Sequence, residues 1–417
     1  MQKRLIALVA AGAIYVPTAA LADDSTVTLY GKINVGVESI QATGATVAPG
    51  NPGDVKSRTR VTDGYSYIGI RGEEPLGDNL KAFFQVENLV KADGPGGNLT
   101  VGAANSNTWA SRNSGVGLRG SFGEILLGRW DVYYSAHVPG GDATFVRTSF
   151  ASTALAILGG DSGIGGKVNT LPPGAVNTAQ GNCPVSAAIP VACAVDFGGR
   201  RNNSVRYASP TIGGVTGIVQ YVAPEGTVDT PAGTARDDGI GAELRFQTQV
   251  VFADYAYFKR NDLGGVVGND STANKLALGV RFAGFTIGAV AERLKHDVDS
   301  NAQTRLFVPV AIHRKRDAYV GFLAYAQGPW SVGGTYGQAQ KVKSETGDLD
   351  QTGAKYYQVT GVFNFSKRTN LYLTVARINN EANAQYDFFN EGGLSDTTTI
   401  GRGADPQTVV IGINHFF

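Results

Sequence analysis

Two cysteines, four histidines, one methionine and a charged fraction of 17% leave this 417-residue sequence short of the side chains from which enzymes and metal centres are built. An enzyme needs a clustered nucleophile and base. Here His137, His296, His313 and His415 are scattered, and nothing near them resembles a nucleophile elbow. The sequence is therefore read as non-enzymatic, with no cofactor and no metal. Cys183 and Cys193 lie close together with no histidine between or beside them. In an exported protein that pair is expected to form a disulfide that clips its own loop. After the N-terminal segment, no stretch approaches the ~20 continuous apolar residues of a transmembrane helix. Pro- or Ser-rich linkers are also missing, so one domain is expected although the length would allow two or three.

The N-terminus sets the compartment. Lys3 and Arg4 precede an apolar run from Leu5 to Val16, and Ala20-Leu21-Ala22 gives a small-x-small cleavage pattern. Residues 1–22 thus read as a secretory signal and 23–417 as the mature chain. Without Lys3 and Arg4 the 36 basic residues fall to 34, against 35 acidic ones. That balance argues against a nucleic-acid partner.

What the sequence has is alternation. In Val27 to Glu38 the odd positions are apolar or glycine, whereas the even ones include Thr28, Lys32, Asn34 and Glu38. Successive strand side chains point to opposite faces, so one face is apolar and the other wet. A soluble sandwich has the same pattern, and one strand decides nothing. The pattern recurs, however, at Leu80–Glu87, Ile240–Phe246, Lys275–Phe282, Phe285–Glu292, Leu371–Val375 and Val409–Asn414.

Connection lengths alternate too. Short turns are expected at 74–79, 120–123, 209–214, around Gln247, and at 283–284, 327–329 and 366–368. Long polar stretches fall near 40–62, 89–112, 131–201, 223–238, 259–274, 293–316, 338–355 and 378–406. Seven short turns and eight long loops join sixteen strands. Short turns on one rim and long loops on the other mark a bacterial membrane barrel. A barrel in lipid must close, because an open edge leaves backbone groups unpaired. Sixteen strands enclose an aqueous lumen. Aromatics near strand ends, including Tyr30, Tyr67, Tyr207, Tyr221, Trp330, Tyr336, Tyr356 and Tyr357, suit interfacial girdles. The fold class is all-β, a 16-stranded antiparallel transmembrane β-barrel.

Several motifs resemble the Gram-negative general porins of the Neisseria, Bordetella and Burkholderia type. They are Val27-Thr-Leu-Tyr-Gly-Lys-Ile33, Tyr67-Ile-Gly-Ile-Arg-Gly-Glu-Glu74, Lys81-Ala-Phe-Phe-Gln-Val-Glu87, Val116-Gly-Leu-Arg-Gly120, Phe122-Gly-Glu-Ile-Leu-Leu-Gly-Arg129, Asn202-Asn-Ser-Val-Arg-Tyr207 and Ser366-Lys-Arg-Thr-Asn-Leu-Tyr372. The resemblance implies an outer-membrane homotrimer that passes small hydrophilic solutes and ions by diffusion. It also implies a third extracellular loop folded inward to narrow the lumen. Here that loop is residues 131–200, unusually long and carrying the cysteine pair, which departs from the family pattern. Outer-membrane lipid, periplasmic chaperones and the barrel-assembly machinery are the further partners the resemblance implies.

A channel needs a wet constriction with a transverse field. Parity puts Lys32, Arg71, Lys81, Arg119, Arg206, Arg245 and Arg281 on the lumen face, with Glu38, Glu73, Glu87, Glu243 and Glu292. Arginine suits a filter because it stays charged and its fork is rigid. Arg71, Arg119 and Arg206 lie within family-like motifs near the third loop, and Asp131, Asp142, Asp161 and Asp196 are available opposite them. The loop also carries Arg147 and Lys167, so its sign stays open. The denser basic side predicts a weak anion preference; each charge could equally do no more than solvate the wall. Arg129 breaks parity and is expected at the rim or at a bend. The terminal Phe417 resembles the assembly signal of the family and is also readable as one more girdle aromatic. A substrate-specific channel with a solute-binding constriction, a barrel-borne membrane enzyme, and a soluble secreted sandwich or lectin are the competing readings.

Overall fold

Val27, Leu29, Ile33 and Val37 stand 37–71% exposed, while Lys32, Asn34 and Glu38 between them are at most 5% exposed. Such an inside-out distribution is costly in water and favourable only where lipid replaces solvent. The same inversion runs along Val116 and Leu118, Leu276, Leu278 and Val280, and Leu371, Leu373 and Val375, all exposed. The computed structural model describes residues 26–46, 53–64, 66–93, 109–132, 152–159, 197, 200–230, 233–263, 267–298, 312–344, 347–388 and 400–417. Residues 1–22, read above as an export signal, and Asp142, Asp161, Asp196, Cys183 and Cys193 lie outside the described residues.

Sixteen barrel strands are present among the described residues. They are β1 (Thr26–Thr43), β2 (Val55–Asp63, continuing as Tyr67–Gly77), β3 (Leu80–Leu89), β4 (Ser114–Gly120), β5 (Gly123–Asp131) and β6 (Arg200–Ala208). Next come β7 (Val215–Val222), β8 (Gly239–Gln247), β9 (Val251–Arg260), β10 (Asn269–Phe282) and β11 (Phe285–Val298). Last are β12 (Ile312–Gln327), β13 (Trp330–Ala339), β14 (Ala354–Asn364), β15 (Thr369–Asn380) and β16 (Asp405–Phe416). Each pairs antiparallel with its neighbour in sequence, and β16 returns to β1 over Lys32↔Phe416 to Thr43↔Asp405. Among the described residues the barrel sheet thus closes on itself, as lipid requires.

All seven short turns fall where the alternation predicts. At the β10–β11 turn both Ala283 (φ 46°) and Gly284 (φ 83°) adopt positive φ, the conformation that matches a two-residue turn to the twist of its strands. The long loops are narrower than the polar stretches suggested. β10 begins at Asn269, β11 runs to Val298 and β12 begins at Ile312. On these extensions the outward positions, such as Arg293, Lys295 and Lys315, carry charge while inner ones such as Ala273 and Leu294 are buried, so the apolar-outward alternation is lost while the ladder continues. Likewise β5 keeps Asp131 and β6 starts at Arg200, which trims the third loop to 132–199.

Aromatic rings cluster at the short-turn rim. Phe285 lies 5.7 Å from Phe282 and 4.6 Å from Tyr325, and Phe363 lies 4.5 Å from Trp330 and 5.1 Å from Phe365. At the loop end Tyr319, Tyr336 and Tyr357 face outward, the last two 5.3 Å apart. Tyr30, Tyr67 and Tyr356 are corrections to the girdle reading. Tyr356 is fully buried. Tyr30 and Tyr67 share the inner face with Glu87, because their residue pairs fall on the lumen parity. The seam closes on Phe417, whose N–H donates to Gly31 O (3.1 Å) and whose carbonyl accepts from Gly31 N–H (3.2 Å). A Cβ on Gly31 would meet the Phe417 ring at 2.4 Å, so glycine leaves the space in which the ring sits.

Candidate pore constriction

The third loop leaves β5 and reaches the far wall. Its segment 152–159 carries a short 3-10 turn at Ala154–Ala156, capped by Thr153, whose hydroxyl accepts from Leu155 N–H. Leu155, Ala156, Ile157 and Leu158 are buried against the inner faces of β11 to β13, among Val290, Ala318, Val320 and Ala339. Gly337 on β13 makes room for this seat, since a Cβ there would lie 2.3 Å from Ile157 Cδ1. Gly159 N–H donates to both Glu292 carboxylate oxygens (2.8 and 3.0 Å), and Gly159 O accepts from Phe197 N–H (3.1 Å).

Beneath this seat lies a buried ion pair. Arg316 Nη2 donates to Glu292 Oε1 at 2.7 Å, both side chains having no exposure, and Arg316 Nη1 donates to Tyr386 Oη at 3.0 Å. Tyr386 belongs to the loop between β15 and β16, so one wall arginine serves two loops. Its burial raises the Tyr386 hydroxyl above its ordinary range, partly offset by Arg316. Isolated buried charges are costly, and here each is matched by the other and by neutral donors or acceptors. Sequence reasoning placed Glu292 on the inner face but left Arg316 inside a loop. Counting back from Phe322 through Val320 and Ala318 would have put Arg316 on the lumen side.

The basic residues of the early strands are arranged in two groups. Near the short turns Lys81, Glu73, Arg119, Glu124 and Arg206 form a chain of ion pairs. Lys81 Nζ lies 3.2 Å from Glu73, and Arg119 lies 2.7 Å from Glu73 and 3.2 Å from Glu124. Arg206 lies 2.7 Å from Glu124. Arg119 also stands over the Phe83 ring at 4.2 Å. Three cations therefore share two carboxylates, and the field of each is largely offset by its neighbours.

Arg71 is placed differently. It is exposed to the lumen and lies over the Tyr30 ring at 5.0 Å, and among the described residues it makes no ion pair. Tyr30 Oη donates to Glu87 (3.2 Å), and Glu87 is paired with Arg112, which stands over Tyr67 at 4.8 Å.

Lys32 is 5% exposed, and its ammonium donates to Gly64 O at 2.9 Å. There, with Asn34 Nδ2 on the same carbonyl (2.6 Å), it satisfies the backbone where β2 is interrupted. Asp131 sits at the end of β5, 3.3 Å from Arg200 and accepting from Asn113 Nδ2 at 2.9 Å. Arg129 lies at the register shift between Gly128 and Trp130, a bulge that breaks the strand's alternation.

The remaining wall is uneven. Arg245 bridges Glu243 (2.5 Å) and Asp254 (3.3 Å), and Arg281 lies over Phe252 at 4.6 Å. From β13 to β16 the inner face is uncharged, with Thr335, Gln358, Thr360, Asn370, Thr374, Thr408 and Asn414 interleaved with buried Tyr356, Val362, Tyr372 and Val410. Charge is thus concentrated on one arc of the lumen and on the wall under the third loop.

Comparison with known proteins agrees with this architecture. The family model described as Gram-negative porin matches residues 6–383. The chain is 39% identical over 144 residues to the major outer membrane protein P.IA of Neisseria meningitidis, covering 31% of this chain and spanning 33% of that protein's length. It is 27% identical over 377 residues to major outer membrane protein P.IB of Neisseria lactamica, covering 90% of this chain and 92% of the relative. Among solved structures, an anion-selective porin from Comamonas acidovorans superposes with a TM-score of 0.66 at 21% identity, over 94% of this chain and 100% of the other. OmpT, an outer membrane protein of Vibrio cholerae, gives 0.57 at 12% identity over 94% and 98%. At those identities the two structures speak for the fold alone. A closed sixteen-stranded barrel with an apolar outer belt, matched along most of its length by the family model, places this outer-membrane chain in the Gram-negative porin family.

Proposed function

We propose that the protein is a homotrimeric, water-filled channel for passive diffusion of small hydrophilic solutes and ions, with a weak preference for anions. The observation that carries this reading is the third loop seated on β11–β13, across the lumen from the early strands. Arg71 lies six residues from Gly77 at the short-turn end of β2, and Glu292 lies seven from Phe285 at that end of β11. The basic arc and the loop seat therefore stand a similar distance from the short-turn rim, on facing walls. A net cationic arc opposite a neutral or loop-covered wall favours anions in the narrowest section. The anion selectivity named for the Comamonas acidovorans porin supports the same sign.

Of the candidate pore residues, Arg71 is assigned the largest share of selectivity. Lys81, Arg119 and Arg206 contribute the smaller residual charge of their ion-paired chain. Lys32 and Asp131 act in holding the wall, and Asp142 is left as a candidate on the loop. The same reading takes residues 1–22 as a cleaved export signal, pairs Cys183 with Cys193 in the third loop, and gives Phe417 a part in barrel assembly. Single-channel recording in a planar bilayer under a potassium chloride gradient tests the proposal. The expected result is an ohmic, unsaturated conductance with a zero-current potential of anion sign. Saturable block by one solute would instead indicate a substrate-specific channel, and no channel activity would sink the proposal.

A further inference from the structure

The outer surface of the barrel carries a feature that conduction does not use. Beyond the Tyr319 level, the outward positions of β11 and β12 become charged. Arg293 and Asp317 pair there at 2.7 Å. One step further from the membrane centre, Lys295 is directly opposite Lys315, and Lys315 is directly opposite Lys343 of the short hairpin Lys343–Ser344/Gly347–Asp348. Three exposed lysines thus stand in a row across adjacent strands. They line one cavity together with Asp297, His313, Arg314 and Ser344. Asp297 already holds His313 at 2.9 Å, and Asp317 holds Arg293.

Like charges directly opposite on neighbouring strands destabilise a sheet. Nothing in the ladder requires lysine at all three positions, since any polar side chain would satisfy an exposed site. The parity of Lys295 and Lys315 points them away from the lumen, on the face that carries Tyr319 and Leu323 toward lipid. Lys315 is four residues beyond Tyr319, about 13 Å along the strand, and less in height because barrel strands tilt. That puts the ammonium groups at headgroup level on the long-loop rim. Lysine clusters at this level bind anionic headgroups, and the ammonium is an effective point-charge partner for phosphate.

We propose that Lys295, Lys315 and Lys343 form a binding site on the outer wall for the phosphate groups of a phosphorylated glycolipid in the outer leaflet. The bound phosphate relieves the repulsion among the three lysines, while the acyl chains lie on the apolar belt below. The site is separate from the pore, so its failure would leave the channel reading untouched.

The test uses the full mature protein, folded in detergent and then in nanodiscs containing bis-phosphorylated lipid A, its monophosphoryl form or a phosphate-free glycolipid. Native mass spectrometry reads the lipid retained, and single-channel conductance reads the pore. Wild type should retain the bis-phosphorylated lipid best and the phosphate-free lipid least. The K295Q/K315Q/K343Q variant should bind the bis-phosphorylated lipid on the order of 100-fold more weakly, with unchanged conductance. If that variant assembles poorly, the K295R/K315R/K343R variant should assemble and retain the lipid, and K315Q alone should weaken it. Equal retention by wild type and glutamine variants would overturn the proposal. So would equal retention of phosphorylated and phosphate-free lipid, which indicates belt contacts alone. Displacement of the lipid by millimolar inorganic phosphate would also overturn it, reassigning the site to the free anion.

Discussion

Glu292 and Arg316 lie 2.7 Å apart with neither side chain exposed, and the backbone N–H of Gly159 in the third loop caps the same carboxylate. The pair therefore links the wall to the loop that enters the lumen. Replacing Glu292 with alanine removes the loop's anchor and leaves Arg316 buried without its charge partner, a loss of about 3–5 kcal/mol. The expected outcome is an assembled barrel with a higher, noisier conductance and a third loop open to protease. The double variant Glu292→Gln with Arg316→Met should be milder than Glu292→Ala. Limited proteolysis combined with bilayer recording decides; a loop as resistant as wild type would show that the pair does not hold it.

Tyr386 gives this seat a dependence on pH. Burial raises its hydroxyl above the ordinary value near 10. In the unfolded or released loop the group ionises near pH 10, whereas in the seated loop it stays protonated. Stability from this source is complete below that pH and falls as pH rises above it through the folded value. Conductance should thus be steady to about pH 10 and change above it, and Tyr386→Phe should abolish the alkaline change. Recording wild type and variant across that range checks the assignment.

Arg71 is a lumen cation that makes no ion pair among the described residues, whereas Arg119 lies between Glu73 and Glu124. At a distance of ~10 Å in water one charge is worth about 0.4 kcal/mol, roughly a two-fold change in the anion-to-cation permeability ratio. Arg71→Gln should move the zero-current potential toward cations by that ratio, and Arg119→Gln by less. A larger shift for Arg119 would transfer the filter to the short-turn rim.

Phe417 closes the barrel through two backbone hydrogen bonds to Gly31 and the packing of its ring in the space that glycine leaves. Deleting it removes both bonds, about 1 kcal/mol each, at the one strand pair that cannot form until the chain is complete. The yield of heat-modifiable, folded protein in membranes should fall. Phe417→Tyr, which keeps the ring, should restore much of it, while wild-type yield for the deletion would leave the residue a girdle aromatic only.

Much of the barrel was legible in the sequence because its physics is local. Side chains alternate with period two, and lipid outside with water inside forces that alternation onto each spanning segment, so Leu276 to Phe282 or Val27 to Val37 declare their faces unaided. Turn residues such as Ala283-Gly284 punctuate them, and sixteen segments follow from counting. The same local rule failed where it no longer applied. Past the apolar band, Arg293 to Val298 and His313 to Arg316 put charge on their outward face while Leu294 and Arg316 stay buried inside, so they read as loop although the ladder continues.

What the tertiary structure alone decided is which charges meet. The register of β2 to β6 brings Glu73 and Glu124 against Arg119 and Arg206, and so distinguishes these paired cations from Arg71, which parity had grouped with them. Curvature of the closed sheet carries the third loop from β5 to β11–β13 and sets Gly159 on Glu292, residues 133 apart in the chain. Alternation fixes the face each residue takes; only closure of the barrel fixes what stands opposite it.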